Sequence, residues 1–169
     1  MFAPMSKEFS FSADIDHDVE RVHAALISEE YWKGRLGGST TGSVEIASPA
    51  GPGTVKVTLT DETDTSGLPA VVRGILRGPL VMQRTDEWGP LEGGAAQGTL
   101  TGGSSSFPVS IEGRSELRAR DGGAVLEVRG QVTVKVPVVG GQIEGLVLQM
   151  VEAIVSGDGN ALNEILSGN

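Results

Sequence analysis

The sequence predicts an α+β fold in which an antiparallel sheet of about seven strands wraps a long C-terminal helix. Three observations carry that expectation. Residues 138–166 place Ile143, Val147, Met150, Val151, Ile154 and Leu162 at helical spacing, and Leu146, Leu148 and Val155 widen the apolar stripe. Most of the chain before them alternates apolar and polar residues with period two, as half-buried strands do. The turns between those strands are short, which implies antiparallel neighbours. A helix so broadly apolar needs a large concave partner, and strands with one apolar face supply it. The expected result is a sheet gripping the helix, with a cavity between them.

Each element can be read in order. Residues 7–13 alternate, with Phe9, Phe11 and Ala13 on one face. Asp16 is placed to cap a helix over about 16–27, whose buried stripe is Ile15, Val19, Val22 and Leu26. Ser28 is a second cap, for a helix over about 29–36 that Gly37 and Gly38 stop. Val44 and Ile46 mark a short strand, and Val55, Val57 and Leu59 a longer one. Pro69 then opens a short amphipathic helix near 69–77 built on Leu68, Val71, Val72, Ile75 and Leu76. It would serve as a lid over the open end of the grip or as a fixed plug in the core. Residues 80–88 return to period two. The glycine-rich stretch 93–103 holds a strand at Thr99-Leu100-Thr101, and 102–106 reads as flexible loop. Asp121-Gly122-Gly123 is a tight turn between the last two strands. Gly157 and Gly159 weaken the last helix by about 1 kcal/mol each relative to alanine, so a bend or break is expected there.

Composition narrows the function. With 169 residues and 38% hydrophobic content, the chain fits one domain over 1–169, with residues 1–5 as a frayed tail. The formal net charge of −9 repels a phosphate backbone and an anionic membrane surface, which argues against nucleic acid as a partner. There are no cysteines, so neither disulfides nor thiolate chemistry are available. No apolar run reaches the length of a bilayer span, and the N-terminus has no charged start or apolar core of the secretory kind, so a cytoplasmic protein is expected. Four phenylalanines, two tryptophans and one tyrosine leave the apolar load to aliphatic side chains. An aliphatic wall suits chains and alicyclic rings better than flat aromatics.

This order of elements resembles the helix-grip fold of the START, polyketide-cyclase and birch-pollen-allergen-like superfamily. The chain looks like an actinobacterial domain-of-unknown-function branch of it. The resemblance rests on Phe9-Ser-Phe-Ser-Ala13 leading into Val19 and Leu26, on Tyr31-Trp32-Lys33-Gly34-Arg35-Leu36, and on Leu68-Pro69-Ala70. Arg84-Thr85-Asp86-Glu87-Trp88 and the run from Val136 through Gln142 and Ile143 to Glu144 complete it. What it implies is a pocket for a hydrophobic ligand. It implies no single reaction, because the superfamily includes lipid carriers, cyclases and co-chaperone modules.

Arg84 and Asp86 are the most informative polar residues. If Leu80, Met82 and Trp88 face inward, period two puts both charges on the same inner face, and Asp61 continues the inward series Val55, Val57, Leu59. Charges in an apolar wall must be paired or solvated. One reading makes Arg84 the anchor of a ligand head group, tuned by the acids. The other makes them a mutual ion pair, or places them in water by an inverted register. Trp32 belongs at the cavity mouth or, beside Tyr31, in the packing of helices onto sheet. Leu76 and Val72 from the inserted helix, and Val147, Met150, Val151 and Ile154 from the last helix, complete the expected ligand-binding set with Met82 and Trp88. His17 and His23 do not share a face, so no metal site is expected, and neither a cofactor nor a catalytic residue is assigned. The expected function is to bind or carry a small hydrophobic molecule of lipid, isoprenoid or polyketide type. Alternatives are a cyclase or hydratase using His23, Asp61, Arg84 or Asp86, and an interaction module without ligand.

Overall fold

The computed structural model describes residues 5–37, 39–48, 50–66, 68, 70–76, 78–135 and 140–168, with backbone alone at 5, 71, 72, 75 and 140–142. Along the chain run β1 (Met5–Ile15), α1 (Val19–Leu26), α2 (Glu29–Arg35), β2 (Ser43–Ala47) and β3 (Val55–Thr63). There follow α3 (Ala70–Ile75), β4 (Leu80–Trp88), β5 (Ala95–Ser104), β6 (Val109–Arg120), β7 (Gly123–Val134) and α4 (Gly140–Ser167). The strands form one antiparallel sheet in the order β1-β7-β6-β5-β4-β3-β2. Only β1 leaves its sequence neighbours, crossing the two helices to pair with β7. This is the expected α+β helix-grip arrangement of seven strands and a long closing helix.

The apolar face of the sheet is covered in two parts. Val55, Val57, Leu59 and Trp88 pack with α1, with Tyr31 and Trp32 of α2, and with Leu162 near the end of α4. Leu80, Leu100, Ile111, Val128, Val132 and Val134 pack with Ile143, Val147, Val151 and Val155 in the first part of α4. The last helix therefore spans both apolar clusters. Its C-terminal end is tied down by Arg21, whose Nη2 donates to the Leu166 carbonyl at 3.0 Å and satisfies one of the free carbonyls of the last turn.

Several local expectations are corrected. Asp16 is not a cap, because β1 runs on to Ile15 and α1 begins only at Val19. Its N-cap is Asp18, whose side chain makes no capping bond. Ser28 caps α2 as expected, accepting from the Tyr31 N–H at 3.3 Å. The inserted helix is shorter than the spacing suggested, Ala70–Ile75, and Pro69 and Arg77 lie outside the described residues. The frayed tail expected over 1–5 also falls outside them, except Met5, which pairs with Val134.

The glycine-rich stretch is a full strand rather than a short one followed by loop. Gly102, Gly103 and Ser104 belong to β5. Its glycines are there for space. A Cβ on Gly98 would lie 3.0 Å from the Trp88 ring, and one on Gly102 would lie 3.3 Å from Ile111 Cδ1. The last helix does not break at Gly157 or Gly159 but is continuous over 28 residues. Gly159 lets it close on β1, where a Cβ would sit 2.6 Å from Ala13 Cβ. The Asp121-Gly122 turn calls for glycine's conformational freedom, with Gly122 at φ +80°.

Candidate functional site

At the level where the two apolar clusters meet, both facing elements carry charge. On β4, Arg84 and Asp86 lie between Met82 and Trp88. On α4, Asp158 lies between Val155 and Leu162. Period two on the strand and the helical repeat on α4 aim all three inward, so three charged groups enter an apolar interior together.

They satisfy one another. Arg84 Nε and Nη2 donate to the two carboxylate oxygens of Asp86 at 2.8 and 2.7 Å. Arg84 Nη1 and Nη2 donate to those of Asp158 at 3.0 and 2.8 Å. The guanidinium thus makes a two-pronged pair with each of two carboxylates. Trp32 covers its face, with the ring centroid 5.5 Å from Arg84 Cζ, a cation–π contact. The indole itself is fully buried and donates to the Leu26 carbonyl at 2.6 Å. Arg35, from the last turn of α2, joins through Nε, which donates to Asp158 Oδ1 at 3.0 Å. Tyr31 completes the group, its hydroxyl donating to the Asp158 backbone carbonyl at 3.2 Å.

Burial alone would lower the pKa of Arg84, but Asp158 and Asp86 outweigh it and hold it well above its ordinary value. Burial pushes the Asp86 carboxyl above its ordinary 3.8, while Arg84 works against that rise. Burial, with Asp158 nearby, raises Tyr31 well above its ordinary 10.0.

Beside this network lies a cavity of about 260 Å³ between the sheet and α4. Leu36, Leu59, Met82, Leu100, Ile111, Met150 and Ile154 make its apolar wall. Gly102 opens it, since any larger residue there would project toward Ile111. Arg35, Asp61, Thr63, Gln83 and Arg84 make its polar part. Asp61 is held below its ordinary 3.8 chiefly by Thr41, whose hydroxyl donates to Oδ1 at 2.5 Å, and the Glu62 N–H adds a bond at 2.8 Å.

Of the residues singled out from sequence, Arg84, Asp61, Met82, Met150 and Ile154 line this cavity. Asp86 lies behind Arg84, buried, and is not among the residues that line the cavity. Trp32 sits beneath Arg84. Trp88 packs with the β3 valines and the β5 glycine, away from the opening. Val147 and Val151 are buried against the sheet, and Leu76 is half-buried against the same cluster. The side chain of Val72 lies outside the described residues. His23 is buried on α1, its Nε2 2.9 Å from the Gly89 carbonyl. Among the described residues no group of three or more His, Asp or Glu could hold a metal ion, and no helix is long and apolar enough to cross a membrane.

Sequence reasoning missed Asp158 and the role of Arg35. Both had a signal. Asp158 falls on the same stripe as Val151, Val155 and Leu162, where an acid demands a partner. Arg35 is one helical turn after Tyr31, on the face that α2 buries.

Sheet order and closing helix define a helix-grip fold. Solved structures share the fold: Ara h 8.0201 superposes with a TM-score of 0.59 at 13% identity, covering 98% of this chain and 100% of that one. Norcoclaurine synthase from Thalictrum flavum does so at 0.58 and 10% identity, covering 100% and 98%. Within that class, residues 10–166 match the family described as protein of unknown function (DUF2505), and the chain belongs to it. The uncharacterized protein Rv0481c of Mycobacterium tuberculosis (strain ATCC 25618 / H37Rv) is 29% identical over 160 residues, covering 90% of this chain and 92% of that protein.

Proposed function

We propose that this protein binds and carries a small, mostly aliphatic molecule in the cavity between the sheet and α4. The observation that carries the reading is the cavity itself, walled by leucine, isoleucine and methionine and polar at the side where Arg35 and Arg84 stand. Its volume is just below the roughly 300–1,000 Å³ of small-molecule pockets. That favours a compact ligand, or one end of a longer one. Among the described residues no aromatic ring lines the cavity, which favours a flexible or alicyclic partner over a flat one.

Binding without turnover is supported by the state of the acids. Asp86 and Asp158 are committed to arginine, and Asp61 is kept ionised by its hydrogen bonds. A cyclase or hydratase would need a proton donor and acceptor at the cavity wall. Asp61 is the one carboxylate there among the described residues, and its lowered pKa makes it a poor acid and a weak base.

Displacement of a fluorescent apolar probe by aliphatic ligands tests the proposal. Ile154→Trp fills the cavity, and loses about tenfold or more in probe affinity while its circular dichroism is unchanged. Equal binding by that variant would place the probe elsewhere and defeat the reading.

A further inference from the structure

Resting on that reading, we infer that the cavity selects ligands whose polar end is an uncharged hydrogen-bond acceptor, a ketone, ester or amide carbonyl, and that Arg35 rather than Arg84 receives it. Arg84 has four hydrogen bonds to carboxylates, and its five N–H groups leave one. Arg35 makes one, through Nε, so among the described residues its four terminal N–H groups have no protein partner. Arg35 lines the cavity, and its side chain is more exposed than that of Arg84, 23% against 13%. Gly157 keeps the space around it, since a Cβ there would stand 3.0 Å from Arg35 Nη2. The site thus offers donors and lacks acceptors to fill them.

Charge decides what kind of acceptor fits. Arg35 and Arg84 are balanced by Asp86 and Asp158, which both lie within hydrogen-bond reach of them. Asp61 then adds a negative charge on the same wall. No further cation lines the cavity among the described residues. A carboxylate head would enter a site that already carries an excess negative charge, and would lose its hydration on the way. A carbonyl oxygen accepts the same N–H groups without that cost. An ammonium head would find Asp61 on the wall but would stand against two guanidinium groups and lose its hydration on entry.

Three probes with one chain test this: methyl octanoate, octanoate and octylamine, titrated at neutral pH against the intact protein by displacement of the fluorescent probe. The ester binds at least about tenfold tighter than either charged probe, and Arg35→Leu weakens binding of the ester itself about tenfold. Octanoate binding as tightly as the ester, or tighter, overturns the inference while leaving the cavity reading intact. Equal affinity for all three does the same. Failure of all three to displace the probe defeats both. Where Arg35→Leu does not fold, the unmodified protein decides by its order of preference, and Arg35→Lys, which keeps the charge beside Asp158, replaces the leucine variant.

Discussion

Asp158 of the last helix holds Arg84 of the fourth strand through two hydrogen bonds, 3.0 and 2.8 Å long, across the middle of the interior. This pair joins the closing helix to the sheet where neither apolar cluster continues. A charged clamp in that place is poor in net stability but strict in geometry, since a shift of either element would leave a buried charge alone.

Arg84→Met is therefore expected to act on the fold first. It leaves Asp86 and Asp158 buried without their principal partner, and such a loss costs about 3–5 kcal/mol. Urea unfolding measures it. Adding Asp86→Asn and Asp158→Asn to the same chain is expected to restore part of the loss, because the stranded charges are gone. A small effect of Arg84→Met alone would mean that the network is open to water.

The two glycines of the last helix are expected to respond with opposite signs. Gly159→Ala drives a methyl to 2.6 Å from Ala13 Cβ, where strand and helix backbones fix both partners, and costs about 1–3 kcal/mol. Gly157→Ala meets only the far end of Arg35, which can move, and gains up to about 1 kcal/mol of helix propensity. Thermal unfolding of the two variants, side by side, separates them.

Tyr31 is the only tyrosine in the chain, so phenolate absorbance reports it alone. Burial and Asp158 hold its pKa well above 10.0 in the folded state. The folded protein then keeps a proton that the unfolded chain releases, so the contribution to stability is complete below pH 10.0 and is lost as pH rises beyond it. The expected titration shows no phenolate near pH 10.0 in the native protein and an ordinary curve in denaturant. A native curve centred near the ordinary value would contradict the buried position.

Much of this arrangement was legible before any coordinates, and the reasons are local. Period two in 80–88 put Met82, Arg84, Asp86 and Trp88 on one face, and the face was the inner one. The apolar stripe of α4 announced the helix and the sheet that had to receive it. What sequence could not show was depth. Arg84, Asp86 and Asp61 share a face, yet Arg84 is clamped, Asp86 is sealed behind it, and Asp61 stands at the wall with Thr41. Pairing across a gap of 74 residues, as between Arg84 and Asp158, leaves no trace in periodicity. The glycines misled for a related reason. Gly102, Gly157 and Gly159 read as breaks when taken along the chain, but each answers to a neighbour distant in sequence: Ile111, Arg35 and Ala13.

The most direct test of the central claim uses the methionines. Of four in the chain, Met82 and Met150 line the cavity, on the sheet side and the helix side, while Met1 and Met5 are at the N-terminus. With carbon-labelled methionine methyl groups, titration with methyl octanoate is expected to shift the Met82 and Met150 signals together and saturably, and to leave Met1 and Met5 in place. Met82 and Met150 signals that stay fixed across a series of aliphatic ligands would contradict the account.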